Sequence, residues 1–499
     1  MLRSKPLLLA LGSVPLFAAC SFLLDFNSLQ GGHQASADAG PDANTGGSSD
    51  ASSGSSNAGE GGASGACDDA ACDDGDPCTV DSCDATTATG CAHAFTPGLG
   101  LEKDFTPILA DSQVRVTMTA GSDAFYFSNL SVTGTTPDVE LFRLGENDDD
   151  YTSLKKLSSF AAFMGAPVSV AGLAVDTSGA LGEALHALVA VKDAAGDPQV
   201  WQIVADTNQQ FGIPTKVGDS YDASLGFNYP VARALNGVVH GAWINADGTI
   251  SVLSPGAAAP ATFGATALAA GTLTLIGTDT YQPAVIYSGK TNGVYLETAG
   301  ANRSAMPECQ TNAGGYLSMS ATALAGHNGI WFASWTKYTN GTNGTLTNES
   351  HLVVCANSAC LPDMTSKCKA GDENNLERDV ATESVHLPGD PAEQTYAITV
   401  IPVLTAAVDA GAADASLIAV LARLNSPLDA TGTTTAIGTP LTVATQVATP
   451  TTLRGPDFPA LAVIPGAQVK VALAWTQPNA SGTGADELHL QRYRMCLPQ

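Results

Sequence analysis

The stretch Val238-Val-His-Gly-Ala-Trp243 runs, after one further residue, into the turn signal Asn245-Ala-Asp-Gly248. A short apolar run closed by Asn, Asp and Gly reads as a β-strand entering a hairpin. Similar runs recur on both sides of it: Val114-Arg-Val-Thr-Met118, Ala124-Phe-Tyr-Phe127, Val168–Val175 and Val200-Trp-Gln-Ile-Val204 before, then Pro283–Tyr287, Gly329–Trp335 and Val469–Trp475 after. Little helical periodicity interrupts them over 101–499. First strands of repeating units begin near Val114, Val168, Tyr229, Tyr281, Leu317, Glu383 and Phe458. This irregular spacing predicts an all-β chain whose 101–499 body is a β-propeller of about seven blades, with six or eight fitting nearly as well. Tandem β-sandwiches are the alternative. The alternating run Glu487–Met495 is expected to close the ring against a strand near Val114. Ala397–Val408 and Ala415–Leu421 resemble membrane helices in hydropathy, but Pro402, Asp409 and Asp414 interrupt them, so a buried hairpin is expected.

The 499 residues include 48 Asp and Glu against 21 Lys and Arg, a net charge of −27. That balance argues against nucleic acid, whose phosphates it repels. Hydrophobic residues make up 44% of the chain, enough to exclude a wholly disordered protein. The excess acid is uneven: no Lys or Arg stands between Lys5 and Lys103. Residues 31–66 are nearly all Gly, Ser, Ala, Asp and Asn and are expected to form a disordered linker spanning about 30–35 Å.

The N-terminus places Arg3 and Lys5 before the apolar run Leu7–Ala19, the layout of an export signal. Leu16-Phe17-Ala18-Ala19-Cys20 resembles a bacterial lipobox. The resemblance implies a lipoprotein signal peptide over 1–19, lipidation of Cys20, a short anchored segment over 20–30, and a membrane partner reached through the lipid. It places the protein in the bacterial cell envelope, at the outer membrane or cell surface. An uncleaved anchor over Leu7–Leu24 and simple secretion are the alternatives, and each also puts the body outside the cytoplasm.

Residues 67–96 form a small module with cysteines at Cys67, Cys72, Cys78, Cys83 and Cys91. So short a segment needs cross-links, and in an exported chain the gaps favour disulfides over zinc. The run Cys72-Asp-Asp-Gly-Asp-Pro-Cys78-Thr79-Val80-Asp81-Ser82-Cys83, with Gly90-Cys91 and His93 after it, resembles the slime-mould cysteine-rich repeat of the Cys-Thr-x-Asp-x-Cys type, present here once. Single copies also occur in surface lipoproteins of myxobacteria. The resemblance implies an extracellular structural or adhesive context and transfers no catalytic role. The Asp cluster departs from the EF-hand pattern, so no metal is expected.

The remaining cysteines are Cys309, Cys355, Cys360, Cys368 and Cys496. With Cys20 lipidated, module and body each hold an odd number, so either a bridge joins them or free thiols are left over. Cys67 is the candidate partner, and Cys355, Cys360 and Cys368 are expected to brace a long polar insertion around Asn340, Asn343 and Asn348.

No nucleophile elbow, phosphate loop or His-Glu-x-x-His zinc motif occurs, so no catalytic residue and no cofactor is expected. His186 and His240 read as core histidines. Trp201, Trp243 and Trp475 read as core, whereas Trp331 and Trp335 share one strand face on which a sugar could stack. The expected function is a binding, adhesive or structural role with an extracellular carbohydrate or protein ligand. The alternative is a propeller hydrolase or lyase acting on extracellular polysaccharide. Carboxylates, His and Arg converging in the channel distinguish the enzyme; a channel of Ser, Thr and Ala distinguishes the binder.

Overall fold

The computed structural model describes residues 69–110, 116–131, 138–161, 163, 167, 169–178, 182–193, 195–206, 208–222, 229–263, 273–277, 282–289, 293–298, 304–305, 314–323, 330–340, 346–356, 359–360, 366–367, 381–387, 395–404, 413–424, 434–448, 456–479 and 486–498, with backbone only between 304 and 367 and at 110, 131, 277, 288–289, 293–295, 298, 401–404, 413–415, 424, 434–436, 446–448 and 457–458. Among these there is no α-helix, and no helix is long and apolar enough to cross a membrane.

The module forms a hairpin of β1 (Thr79–Cys83) and β2 (Cys91–Phe95), followed by β3 (Gly98–Asp104) and β4 (Ile108–Ala110). Blade 1 comprises β5 (Thr117–Ala120), β6 (Ala124–Ser131), β7 (Asp138–Gly145) and β8 (Thr152–Lys156). Blade 2 comprises β9 (Gly172–Asp176), β10 (Ala184–Lys192), β11 (Pro198–Ala205) and β12 (Thr215–Gly218). Blade 3 holds β13 (Val231–Leu235), β14 (Val238–Ile244), β15 (Ile250–Leu253) and β16 (Ala261–Phe263), and blade 4 holds β17 (Leu273–Gly277), β18 (Pro283–Gly289), β19 (Gly293–Thr298) and β20 (Ser304–Ala305).

Blade 5 comprises β21 (Gly314–Ala323), β22 (Ile330–Asn340), β23 (Leu346–Ala356), β24 (Ala359–Cys360) and β25 (Ser366–Lys367). Blade 6 comprises β26 (Ala381–His386), β27 (Thr395–Leu404), β28 (Ala413–Leu424), β29 (Thr434–Ala436) and β30 (Leu441–Ala448). Blade 7 combines β31 (Asp457–Ile464), β32 (Lys470–Pro478) and β33 (Asp486–Cys496) with β3 and β4 from the other end of the chain.

Every pairing is antiparallel, so tight hairpins suffice to build each blade. Between β13 and β14, Leu235 pairs with Val238 and leaves a two-residue turn of Asn236 and Gly237, at φ 51° and 79°. Both central residues are left-handed, as a type I′ hairpin requires, and Asn-Gly is the dipeptide best suited to it.

The first strands β5, β9, β13, β17, β21, β26 and β31 pack side by side in that order, and β31 packs against β5. Seven sheets therefore form a closed ring around a central channel, a seven-bladed β-propeller rather than tandem sandwiches. The cores agree with this. Among the described residues the hydrophobic clusters join neighbouring blades: Val189 and Ile203 with Leu141 between blades 1 and 2, Trp243 with Ala190 and Val200 between 2 and 3, and Trp475 with Ile398 between 6 and 7. Burial between sheets, proportional to apolar area, thus fixes the ring.

Three sequence expectations shift. The closing strand is β3, with β4 beside it, not a segment near Val114, because Thr117–Ala120 is already committed to blade 1. The body thus begins at Gly98 rather than at 101. Blade 4 starts at Leu273, and the run at Tyr281 leads into its second strand; Leu-Thr-Leu-Ile is a short apolar segment that lacks a flanking aromatic marker. The buried hairpin over 397–421 is present as β27 and β28, with Pro402 opposite Leu417.

Candidate functional site

The inner strands of blades 3 and 6 each carry one charged residue at the middle. On β13, Val231, Arg233 and Leu235 share a face, and the two flanking residues pack into the core with blade 4. On β26, Glu383 lies between Ala381 and Val385, both buried against blade 7. The anchors at ±2 hold the backbone and leave the long charged side chains to reach over the strand edge. Arg233 Nη1 donates to Glu383 Oε1 at 2.9 Å, and Nη2 donates to Oε2 at 3.1 Å. Blades 3 and 6 are not neighbours in the ring, so the two side chains meet across the central channel. Their side chains are 26% and 23% exposed, so the pair is accessible from the channel solvent. A planar guanidinium facing a carboxylate through two parallel hydrogen bonds fixes the orientation of both groups.

His240 stands opposite Arg233 in the β13–β14 register and is buried. Burial pushes its pKa below the ordinary value, so it is neutral at neutral pH; its Nδ1 lies 3.3 Å from Ser254 Oγ. His186 is likewise held low by burial, with Asp176 opposing, and its Nδ1 lies 2.9 Å from Gln202 Nε2. Both are partnered core histidines, as the sequence implied. Trp243 and Trp475 are buried, and Trp201 packs edge-on against Phe163. Trp331 and Trp335 lie an even spacing apart on β22, as expected of a shared face. Neither Arg233 nor Glu383 was singled out by sequence. The available signal was a lone charge inside an otherwise uncharged first strand, Val-Ala-Arg-Ala-Leu and Ala-Thr-Glu-Ser-Val.

A second charged cluster lies at the ring seam. Glu102 on β3 meets Lys470 on β32, Arg492 at 3.3 Å and Arg494 at 2.9 Å, and Arg494 also reaches Asp76 of the module at 3.0 Å. Burial alone would raise the Glu102 pKa, but hydrogen bonds and charge from Lys470 and Arg494 outweigh it and hold the carboxyl below its usual range. Here the module is also covalently fixed. Cys78 bonds to Cys496, Cys72 bonds to Cys91, and Cys83 is disulfide-bonded as well. The bridge from module to body thus exists, but through Cys78 rather than the expected Cys67. The cause is position: Pro77 O approaches the β3 backbone so closely that a Cβ at Gly100 would lie 2.1 Å from it, which seats Cys78 beside the end of β33. Cys355 and Cys360 stand opposite each other in the β23–β24 register. Cys20, Cys67, Cys309 and Cys368 lie outside the described residues, as do the signal, linker and sequon-loop tip on which other expectations rest.

No family model matches the chain, and no curated protein matches it. Solved structures do. An AofleA variant from Arthrobotrys oligospora aligns at 6% identity and TM-score 0.35 over 72% of this chain and 95% of its own. A thermostable family-43 glycoside hydrolase aligns at 10% identity and TM-score 0.30 over 79% and 96%. The α-L-arabinofuranosidase of Podospora anserina solved with cellotriose aligns at 8% and TM-score 0.29 over 80% and 97%. At such identities each likeness concerns fold and brings no catalytic residue with it. The expectation of a binding, adhesive or structural role is corrected nonetheless. The channel brings together an arginine and a carboxylate, Arg233 and Glu383, the charged groups that a channel of Ser, Thr and Ala lacks.

Proposed function

We propose that the chain is a propeller enzyme, a hydrolase or lyase that cleaves extracellular polysaccharide at its central channel. One observation carries this reading: Arg233 and Glu383, brought from opposite blades, meet in the channel in an oriented and solvent-accessible pair. A carboxylate in that position is the general base of either reaction, taking a proton from water or from a sugar carbon next to a carboxyl group. The guanidinium holds it in place and, in the lyase reaction, stabilises the negative charge that develops on the substrate's carboxyl group as the neighbouring proton leaves. A channel open to solvent also suits a chain-like substrate better than a closed pocket does.

The cellular setting belongs to the same proposal. Cys20 carries the lipid, residues 31–66 lift the propeller from the membrane, and the cysteine module marks an extracellular location. Arg3 and Lys5 before the apolar run, the small residues before Cys20 and the likeness of 72–93 to the slime-mould repeat support it.

The test is a panel of extracellular polysaccharides incubated with the mature protein, read for new reducing ends and for the ultraviolet absorbance of unsaturated products. Cleavage of at least one polysaccharide, lost in Glu383→Gln, is expected. Binding without cleavage across the panel would overturn the proposal, as would full activity in Glu383→Gln.

A further inference from the structure

The cysteine module holds a group of side chains that the channel chemistry does not use. Its hairpin register sets Asp81 on β1 opposite His93 on β2, and the loop preceding β1 brings Asp74 to the same place. His93 Nδ1 lies 2.7 Å from Asp81 Oδ1 and 3.4 Å from Asp74 Oδ2. One donor atom from each of the three residues falls within 4.8 Å of the other two. The second oxygen of each carboxylate is engaged elsewhere. Asp81 Oδ2 accepts the Asp74 N–H at 3.0 Å, while Asp74 Oδ1 accepts the Asp76 N–H at 2.8 Å and the Thr79 hydroxyl at 3.1 Å. Both carboxylates are therefore oriented from behind, each with its remaining oxygen turned toward the imidazole, as the outer partners of metal ligands orient them. The frame is rigid: the Cys72–Cys91 disulfide closes two residues before His93, and Cys78–Cys496 ties the module to blade 7.

We propose that Asp74, Asp81 and His93 bind a divalent transition-metal ion of the zinc class through one imidazole nitrogen and two carboxylate oxygens. The donor chemistry selects the ion. Calcium and magnesium take oxygen ligands, whereas imidazole suits zinc and its neighbours. Donors around a tetrahedral zinc ion lie about 3.4 Å apart, since each bond is about 2.0–2.2 Å. The Asp74 contact to His93 Nδ1, at 3.4 Å, matches that spacing, and the Asp81 contact, at 2.7 Å, opens when the ion replaces the hydrogen bond between them. Asp74 and His93 are exposed, so the remaining coordination position faces water and the ion has a direct way in. The site differs from an EF-hand because its third donor is an imidazole on β2, directly opposite Asp81 on β1.

The experiment is calorimetric titration of the chelator-treated mature chain with Zn2+, in parallel with His93→Gln and Asp74→Asn, two exposed positions. Imidazole NMR of the wild-type chain follows His93 directly. One Zn2+ per chain is expected, with affinity reduced at least about tenfold in either variant and a His93 resonance that moves on metal addition. Failure to bind Zn2+ stoichiometrically would overturn the proposal. So would unchanged affinity in His93→Gln, or a Ca2+-selective site lost only in Asp74→Asn.

Discussion

Two arginine–carboxylate sites in this molecule use similar groups in different settings, and the proposed function gives them different roles. At the seam, Glu102 is 9% exposed and is contacted by Lys470, Arg492 and Arg494, with a disulfide a few residues away. Across the channel, Arg233 and Glu383 face each other from blades three places apart in the ring, each about a quarter exposed. The seam cluster joins the first and last strands of the propeller and seats the cysteine module on them. The channel pair joins strands already fixed by their own cores. Burial separates a structural cluster from the proposed working pair. The chemistry of the groups alone does not.

The comparison breaks if the two sites respond alike to substitution. The largest expected effect is on turnover: Glu383→Gln lowers kcat by about 10²–10⁴-fold, the usual contribution of a positioned general base. Its melting temperature stays close to that of the wild type, because a partly exposed ion pair contributes about 1 kcal/mol or less. At the seam the order is reversed. Glu102→Gln leaves Lys470, Arg492 and Arg494 without their shared carboxylate and destabilises the fold by about 3–5 kcal/mol in denaturant titration, while the specific activity of the folded fraction is retained.

Next comes the covalent clasp. Replacing Cys78 and Cys496 together by serine removes a bridge between residues 418 apart in sequence. It costs about 2–5 kcal/mol, less any restraint that the β3–β33 pairing already imposes. A change in channel activity larger than the change in stability would contradict the separation of the two sites.

The smallest effect is the acid response. The folded-state pKa of Glu102 is depressed, so its stabilisation is present above the unfolded value and is lost as pH falls through the folded one. Wild type therefore loses stability on acidification below the ordinary carboxylate range, and Glu102→Gln loses less over the same interval. Equal slopes in the two proteins would remove Glu102 from the account of the seam.

Much of this architecture was legible in the sequence, because short apolar runs ended by Asn, Asp and Gly report hairpins locally. Asn236-Gly237 forms a tight turn wherever it flanks two strands, and the first strands near Val168, Tyr229, Glu383 and Phe458 fell within a few residues of their observed positions. With Cys20 lipidated, parity of the cysteines leaves either a bridge from module to body or free thiols, and the bridge is what forms. The identity of that bridge was not legible, since it depends on Pro77 packing over Gly100, a contact between residues that pattern does not relate. The channel pair was hidden for the same reason. Arg233 and Glu383 are 150 residues apart, and only closure of the ring makes the middles of β13 and β26 face each other. The adhesive reading of the whole chain leaned on a module of about thirty residues. The channel belongs to the other four hundred.

The most direct test of the central claim, that the channel pair works and the seam cluster holds, is the specific activity of folded Glu383→Gln beside folded Glu102→Gln on a polysaccharide that the wild type cleaves. The account predicts that Glu383→Gln is nearly inactive at an unchanged melting temperature, and that Glu102→Gln is active but melts early. A Glu383→Gln protein that turns over at the wild-type rate would contradict it.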